Sequence, residues 1–332
     1  MPTEEKGPFM GTSRPSSFRI RLGGRVLSAS LVAILTMDCT ALPRDTERVA
    51  LDDVSTIPGL ETVRGAPSPL GGTIRDNFDA SFAQESAAGT YPPDANSTVH
   101  CASLVLSGGA DYGAFGVGVL AGWTETGTRP EFKVVTGVST GAMIASVAVL
   151  GPVYEEALQE SFTTIDQDDF LTLRGIFDII LGTDAVADSR PLQRPIAAIY
   201  DMKVMQRVAE EHNRGRHLYI LTTNIDTEVP ILWSLGALAN VGTREALDLS
   251  RKIITASVSP PGVFPPVLID AVVNGELYQE MHADSGVVTS MMSTGGIIDF
   301  TDTAQRLTSV EAAAHDVHLI RNGFVTPRPR VV

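Results

Sequence analysis

The amino-acid sequence predicts an α/β fold in which neighbouring strands run parallel. Two strand–turn–helix units follow one another: a strand over 103–106 leads into a helix over 114–123, and a strand over 132–136 leads into a helix over 142–150. Successive units of this kind place parallel strands side by side through right-handed crossovers. An apolar fraction of 43% is enough for a large core, and a charged fraction of 19% argues against general disorder.

The turn after the second strand has the sequence Gly137-Val138-Ser139-Thr140-Gly141. A strand, a sharp turn flanked by glycines and a buried helix form the setting in which Gly-x-Ser-x-Gly is a nucleophile elbow. Such a turn lifts the serine hydroxyl clear of the sheet, and the N-terminus of the helix favours a developing anion. We therefore predict that Ser139 is a nucleophile and that Gly137 and Gly141 are required by the turn.

A glycine loop follows the first strand, with the sequence Ser107-Gly108-Gly109-Ala110-Asp111-Tyr112-Gly113. It has neither the glycine spacing of a dinucleotide-binding turn nor the Gly-Lys-Ser/Thr of a phosphate loop. Consecutive small residues expose backbone N–H groups, which predicts an oxyanion hole; a purely structural glycine turn is the alternative. Because loops at the carboxyl ends of parallel strands lie together, this loop is expected to share a crevice with Ser139.

Later elements of the chain lead to a candidate base. We predict helices over 152–163, 191–214 and 244–257, strands over 217–223, 230–235 and 277–283, and an Asp-rich cap near the cleft over 166–188. The last strand runs into Asp284-Ser285-Gly286. An aspartate at the end of a strand can act as a general base if burial raises its proton affinity; an Asx turn is the alternative. His282 is expected on the same strand face as Asp284.

Charge and composition restrict the partners. A formal net charge of −14 argues against nucleic acid and offers no broad attraction to anionic membranes, so any membrane contact should be apolar or anchored. The two cysteines, Cys39 and Cys101, make neither a zinc site nor a disulfide framework, and Cys101 is expected to be buried. We predict no metal and no cofactor.

The N-terminal residues 1–40 have the features of a signal or anchor segment. Four arginines precede an apolar run over 26–37, which is too short to span a bilayer but has the length of a secretory h-region. Cys39 follows this run, as the acylated cysteine of a bacterial lipoprotein does, although Asp38 stands where a small neutral residue is usual. We expect export to the bacterial cell envelope and membrane association through the N-terminus; an uncleaved anchor or a start at Met10 is the alternative.

Residues 41–98 are rich in Pro, Gly, Ser and Asp and have little periodicity, which predicts an extended leader around the domain or a spacer. The folded domain is expected over 99–332. A strand is predicted over 316–321, close to the end of the chain.

Three motifs stand in order along the chain: the glycine loop over 107–113, the elbow over 137–141 and the turn over 284–286. Together they resemble the patatin-like phospholipase family, particularly its bacterial lipoprotein-like members, over roughly residues 101–322. The resemblance implies a three-layer α/β/α fold with a mostly parallel central sheet and hydrolysis of acyl esters of lipids by a Ser–Asp dyad. It implies the following roles: nucleophile, Ser139; base, Asp284; oxyanion-hole donors, Gly108, Gly109 and Ala110; turn glycines, Gly113 and Gly286.

Two residues depart from the family pattern. Ala110 stands where a third glycine is usual, and the hole is expected to survive if φ at this residue is negative. Ser285 stands where the family has glycine, and activity is expected to be low if that position needs a positive φ. The chain also ends earlier than is expected for these relatives, so a closing helix is expected to be missing.

Two rival functions fit parts of the sequence. An α/β-hydrolase with a Ser–acid–His triad would use Asp226 or Asp284 as the acid and His315 or His318 as the base. A catalytically inactive, envelope-anchored binding protein would explain Ser285 and the early end of the chain. Neither the substrate headgroup, the acyl length nor the oligomeric state follows from the sequence.

Overall fold

A computed structural model of the chain describes residues 55–67, 72–163, 190–294, 299–307 and 312–323. The predicted signal or anchor segment over 1–40, with Cys39, and the predicted cap over 166–188 lie outside the described residues. Within the described ranges, no helix has the length and apolar character needed to cross a membrane.

The described residues form strands and helices that alternate through most of the chain. The strands are β1 (Arg64–Gly65), β2 (Thr98–Leu106), β3 (Phe132–Val138), β4 (His217–Asn224), β5 (Val229–Ser234), β6 (Val267–Val273), β7 (Glu276–Asp284) and β8 (Ala312–Ile320). The α-helices are α1 (Thr73–Ala88), α2 (Gly113–Glu125), α3 (Thr140–Ala148), α4 (Glu155–Thr163), α5 (Arg190–Ile199), α6 (Met202–Asn213), α7 (Leu235–Ala239), α8 (Arg244–Ser257) and α9 (Phe300–Leu307). Short 3₁₀ turns lie at Ala110–Tyr112, Pro152–Tyr154 and Ser285–Val287.

The strands make one eight-stranded sheet with the order β1-β5-β4-β3-β2-β8 along its main path. The four strands β8, β2, β3 and β4 run parallel, whereas β5 and β1 are antiparallel to their neighbours. The hairpin of β6 and β7 joins the sheet where β7 pairs antiparallel with the end of β4. The predicted α/β class with a mostly parallel central sheet is confirmed.

Helices cover both faces of the sheet, and alternate residues of β3 show how the faces are divided. Val134 and Val138 pack with α1 and α9 on one face, and Val135 belongs to the larger core on the other face, with α2, α3, α5, α6 and α8. Every residue of β3 and of β4 is buried, as is typical of central strands covered on both faces. The three-layer arrangement is therefore as expected.

The described part of the predicted leader is not extended, contrary to the expectation for 41–98. It contains β1, which adds to the edge of the sheet beside β5, and the helix α1, whose Phe78 and Phe82 belong to the core. The sequence did not predict this helix because its buried face also carries the polar residues Ser81 and Glu85, which interrupt the apolar pattern. The boundaries of the segments at residues 40 and 98 stay predictions.

A buried cation explains those polar residues on α1. Lys133 of β3 lies against the rings of Phe78 and Phe82, donates to Ser81 at 3.0 Å and forms an ion pair with Glu85. Because Lys133 is almost completely buried, it needs these partners. The helix is thus joined to the sheet by charge as well as by apolar packing.

One predicted helix differs from the structure. The helix predicted over 191–214 is two helices, α5 and α6, because Asp201 caps the second one by accepting from the N–H of Val204 at 2.8 Å. The helix predicted over 244–257 begins and ends as expected. Cys101 is buried, as expected, and its thiol is free.

Candidate active site

Ser139 and Asp284 meet because two strands end against each other on one edge of β4. The other edge of β4 is occupied by β5. Along the shared edge, β3 pairs as far as Val138 opposite Leu221, and β7 pairs from Asp284 opposite Thr222. Since β3 is parallel to β4 and β7 is antiparallel to it, their carboxyl ends face each other. The residue after β3 and the last residue of β7 are therefore neighbours, although they are far apart in the sequence.

The side chain of Ser139 lies within interaction range of the carboxyl group of Asp284. Burial raises the pKa of Asp284 above its ordinary value, against the opposing effect of Ser139 and of the bond from the N–H of Gly286. That N–H lies 2.7 Å from Oδ1 of Asp284, and the aspartate is only 5% exposed. A carboxylate with raised proton affinity beside a serine hydroxyl can accept the serine proton.

The turn at Ser139 is strained and is held by a second serine. Ser139 has φ 54° and ψ −129°, a conformation that residues other than glycine rarely adopt. Its N–H donates to Oγ of Ser257 at 3.0 Å, and the hydroxyl of Ser257 donates to the carbonyl of Leu221 at 2.8 Å. The end of α8 therefore ties the elbow to β4, on which Asp284 is also paired.

The predicted turn glycines lie where the chain makes close approaches within the site. An added Cβ would meet the backbone of Gly141 at Gly137, the carbonyl of Leu106 at Gly141, the side chain of Thr140 at Gly113, and Oδ1 of Asp284 at Gly286. Larger residues at these positions would push the elbow, the glycine loop or the carboxylate out of place.

The glycine loop lies beside Ser139, but its three N–H groups differ in availability. A Cβ on Gly108 would lie 2.9 Å from the Cβ of Ser139, which shows how close the loop comes. The N–H of Gly108 donates to the carbonyl of Ser290 at 3.1 Å, so it is not free as an oxyanion donor, contrary to expectation. Among the described residues, nothing accepts from the N–H groups of Gly109 and Ala110. These two remain as candidate donors.

The condition that was set for Ala110, a negative φ, is not met. Its φ is 50°, in the left-handed region, which explains why glycine suits this position. The carbonyl of Ala110 accepts from Oγ1 of Thr140 at 2.9 Å. The loop is thus fastened to the first residue of α3, and this contact holds the strained alanine in place.

Ser285 is accommodated without backbone strain, so the expected loss through a positive φ does not apply. It lies in the 3₁₀ turn after β7, outside the residues with positive φ. Its hydroxyl is fully buried and lies 2.9 Å from Oγ1 of Thr223. A serine therefore replaces glycine here by bonding to β4.

Asn322 is a residue of the site that the sequence analysis missed. Its Nδ2 donates to the carbonyl of Ser107 at 2.7 Å and its N–H donates to Oγ of Ser107 at 2.8 Å. The hydroxyl of Ser107 in turn donates to the carbonyl of Gly108 at 2.7 Å. Since β8 is parallel to β2 and Ile320 lies opposite Leu106, residues that follow β8 lie beside the glycine loop. The strand predicted over 316–321 was the only signal in the sequence for this contact.

The two histidines of the rival triad lie elsewhere. Nε2 of His315 is 2.7 Å from Oγ of Ser103, and its ring stacks on Phe300. The ring of His318 packs edge-to-face on Trp123. Neither histidine is brought to Ser139.

His282 lies on the face of β7 that carries Asp284, but its ring faces other partners. Nδ1 lies 2.9 Å from Oγ1 of Thr222, and Nε2 lies 3.0 Å from Oε2 of Glu280. Asp226, the other acid of the rival triad, accepts from a backbone N–H of β7 at 2.9 Å. Both residues therefore support β7.

Comparison with known proteins gives the following. A family model described as patatin-like phospholipase matches residues 104–294, a range that contains all three motifs. A search of curated proteins finds no significant match. Among solved structures, the chain is similar to VipD from Legionella pneumophila, with 14% sequence identity and a TM-score of 0.39 over 67% of this chain and 49% of that one. The chain thus spans about half the length of VipD.

Proposed function

This chain belongs to the patatin-like phospholipase family, and from that premise we propose that it is a lipid acyl hydrolase in which Ser139 is the nucleophile and Asp284 the base. Family membership implies hydrolysis of lipid acyl esters. The observation that supports the assignment of residues is that β3 and β7 end against each other on β4, which brings the side chains of Ser139 and Asp284 within interaction range.

The reaction proceeds in two steps. The carboxylate of Asp284 takes the proton of the Ser139 hydroxyl while Oγ attacks the ester carbonyl carbon. The carbonyl oxygen becomes an anion beside the N–H groups of Gly109 and Ala110, and collapse expels the alcohol, which receives the proton from Asp284. Water then attacks the acyl-enzyme, with the same carboxylate as base, and releases the fatty acid and the serine.

The surroundings of the dyad favour an apolar substrate. Tyr112 in the glycine loop and Phe115 just after it are 45% and 60% exposed, and Val287 and Val288, which follow Asp284 closely, are 61% and 56% exposed. Apolar side chains exposed on both sides of a site suit acyl chains better than a charged substrate. The net charge of −14 likewise favours lipids without net negative charge.

The test combines an ester panel with a serine-directed fluorophosphonate probe. We expect Ser139→Ala and Asp284→Asn to lower kcat by at least about 10²-fold, and Ser139→Ala to lose labelling. Ser146→Ala is the matched control, because this serine lies on α3 and its hydroxyl only donates to the carbonyl of Met143 at 2.6 Å. Labelling of Ser139→Ala as strong as that of the wild type would refute the assignment.

The same panel separates the rival functions. His315→Ala and His318→Ala should retain full activity, and loss of activity in either would favour the triad. Absence of turnover by folded wild-type protein, on short p-nitrophenyl esters and phospholipids alike, would favour an inactive binding protein.

We also propose that residues 1–40 direct export and that Cys39 is acylated, since a short apolar run after basic residues precedes this cysteine. Fractionation of cells that express the wild type or Cys39→Ala tests this proposal. Equal retention of both proteins in the membrane fraction would contradict acylation.

A further inference from the structure

We propose that Arg64 is a positioning residue for Asp284 and that it acts through Glu280 and the strand β7. Arg64 lies before the range 104–294 that the family model matches. The proposal rests on the proposed function in one respect, the role of Asp284 as the base. It makes the N-terminal segment that carries β1 a working part of the active site.

Arg64 reaches β7 from the far edge of the sheet. Its Nη1 donates to Oε2 of Glu280 at 2.6 Å, and its Nη2 donates to Oε1 at 3.3 Å. Nη2 also donates to Oγ of Ser55 at 2.9 Å, and the guanidinium lies over the ring of Trp233 at 4.9 Å from its centroid. Both charged groups are buried, and a planar guanidinium that bonds both carboxylate oxygens fixes the position of its partner.

The hydrogen bonds continue from Glu280 in one direction only. The carboxylate of Glu280 can only accept, so Nε2 of His282 carries the ring proton and donates to Oε2 at 3.0 Å. Nδ1 of the neutral ring then accepts from the hydroxyl of Thr222, which lies 2.9 Å away and itself accepts from Nε1 of Trp233 at 2.8 Å. Burial lowers the pKa of His282, which keeps the ring neutral in this arrangement.

Glu280 is the charge on which this arrangement depends. Burial raises its pKa, but the bonds from His282 and Arg64 outweigh burial and lower the pKa to about 2. Besides Glu280, the charged groups that act on His282 are Arg64 and Asp226. Without Arg64, a buried carboxylate would retain only a neutral imidazole as its partner.

The connection to Asp284 is the strand itself. Glu280, His282 and Asp284 alternate along β7 and therefore lie on one face. The pairing of β7 with β4 covers three residue pairs, which end with His282 opposite Asn224. A slip of one residue would turn Asp284 to the other face. Beyond the end of this short ladder, β7 is held by β6 along its other edge and by the Arg64–Glu280 contact, which fixes the face that carries Asp284.

Kinetics of an Arg64 series on a soluble short-chain ester test the proposal. We expect Arg64→Met to lower kcat by about 100-fold and to leave KM within about twofold, because a displaced base slows the chemistry more than binding. Arg64→Lys should lose about tenfold, since one ammonium cannot bond both carboxylate oxygens in parallel. The control is Arg75→Met, which removes a partly exposed pair with Asp79 in the same N-terminal segment and should match the wild type.

A second substitution separates positioning by charge from simple packing. Adding Glu280→Gln to Arg64→Met removes the uncompensated buried charge, so kcat should rise at least about tenfold above that of Arg64→Met. If the double variant is no faster than Arg64→Met, or if Arg64→Met keeps wild-type kcat, the proposal is wrong. Should Arg64→Met fail to fold, wild-type kcat in Arg64→Lys would overturn it equally.

Amide hydrogen exchange provides a readout that needs no turnover. In a Ser139→Ala background, Arg64→Met should increase exchange over 276–284, and Arg75→Met should not. Unchanged exchange over 276–284 in Arg64→Met would overturn the proposal even if the wild type hydrolysed no ester. Loss of the proposed function alone would instead show as an inactive wild type with the expected exchange pattern.

Discussion

Replacing Asn322 with alanine measures how firmly the glycine loop must be held. The side chain is 2% exposed, and its Nδ2 donates to the carbonyl of Ser107 at 2.7 Å. Its Oδ1 has no hydrogen-bond partner among the described residues, so the variant loses one bond and leaves one buried carbonyl unsatisfied. Such a carbonyl costs about 1–3 kcal/mol. We expect the free energy of unfolding to fall by about 2 kcal/mol, and the midpoint of thermal unfolding to fall by about 4–8 °C.

The activity of the Asn322 variant should fall as well, because Ser107 leads directly into the loop that carries Gly109 and Ala110. Loss of one oxyanion donor costs about 10²–10³-fold in rate, so a loosened loop should lower kcat by about tenfold. Asn322→Asp should be worse, since it sets a carboxylate oxygen against a carbonyl oxygen.

The control for Asn322 is Asn240→Ala, which breaks only the exposed amide pair with Asn213 and should leave kcat unchanged. The assays are thermal unfolding and kcat on a short-chain ester. A variant Asn322→Ala that unfolds earlier but keeps wild-type kcat would refute the role given to Asn322 in holding the loop.

Three further substitutions test other parts of the site and the core. Gly108→Ala should keep the fold but lower kcat more than tenfold, because the new Cβ would lie about 2.9 Å from that of Ser139; wild-type kinetics would contradict this. Asp284→Asn should raise the thermal midpoint at neutral pH, because the raised pKa of Asp284 means that its ionised form destabilises the fold. The difference in thermal midpoint between Asp284→Asn and the wild type should shrink as the pH falls through the raised pKa of Asp284, and it should vanish below the ordinary carboxyl range. A difference that does not change with pH would refute the argument. Glu85→Gln should lower the free energy of unfolding in urea by about 3–5 kcal/mol by leaving Lys133 buried without its carboxylate, and a loss below about 1 kcal/mol would mean that Lys133 is uncharged.

The parts of the site that were predicted from sequence are those encoded by short, local patterns. The elbow at Ser139 needs small neighbours on both sides, so five consecutive residues contain both the serine and the glycines that the turn requires. Asp284 was predicted because it ends a strand just before a turn that contains Gly286. In each case the backbone requirement and the functional group are adjacent in the chain.

The parts that escaped prediction depend on pairings between distant segments. Asn322 has no motif of its own, and its role follows from the pairing of β8 with β2. Arg64 stands in a segment that was expected to be a leader, and its value depends on a carboxylate more than 200 positions later. The positive φ of Ala110 was also hidden, since alanine ordinarily marks a position with negative φ.

Strained backbone and a buried carboxyl group at the site explain why segments outside the three motifs are needed to stabilise the fold. Ser139 and Ala110 both have a positive φ, and the hydroxyl of Thr140, the residue after Ser139, donates to the carbonyl of Ala110. Each such residue costs about 1 kcal/mol or more, and the buried Asp284 adds its own penalty when ionised. These costs fall on the residues that we propose perform the chemistry, so favourable contacts elsewhere must offset them. The N-terminal segment offers such contacts, because Arg64 bonds to Glu280 of β7 and α1 packs on β3.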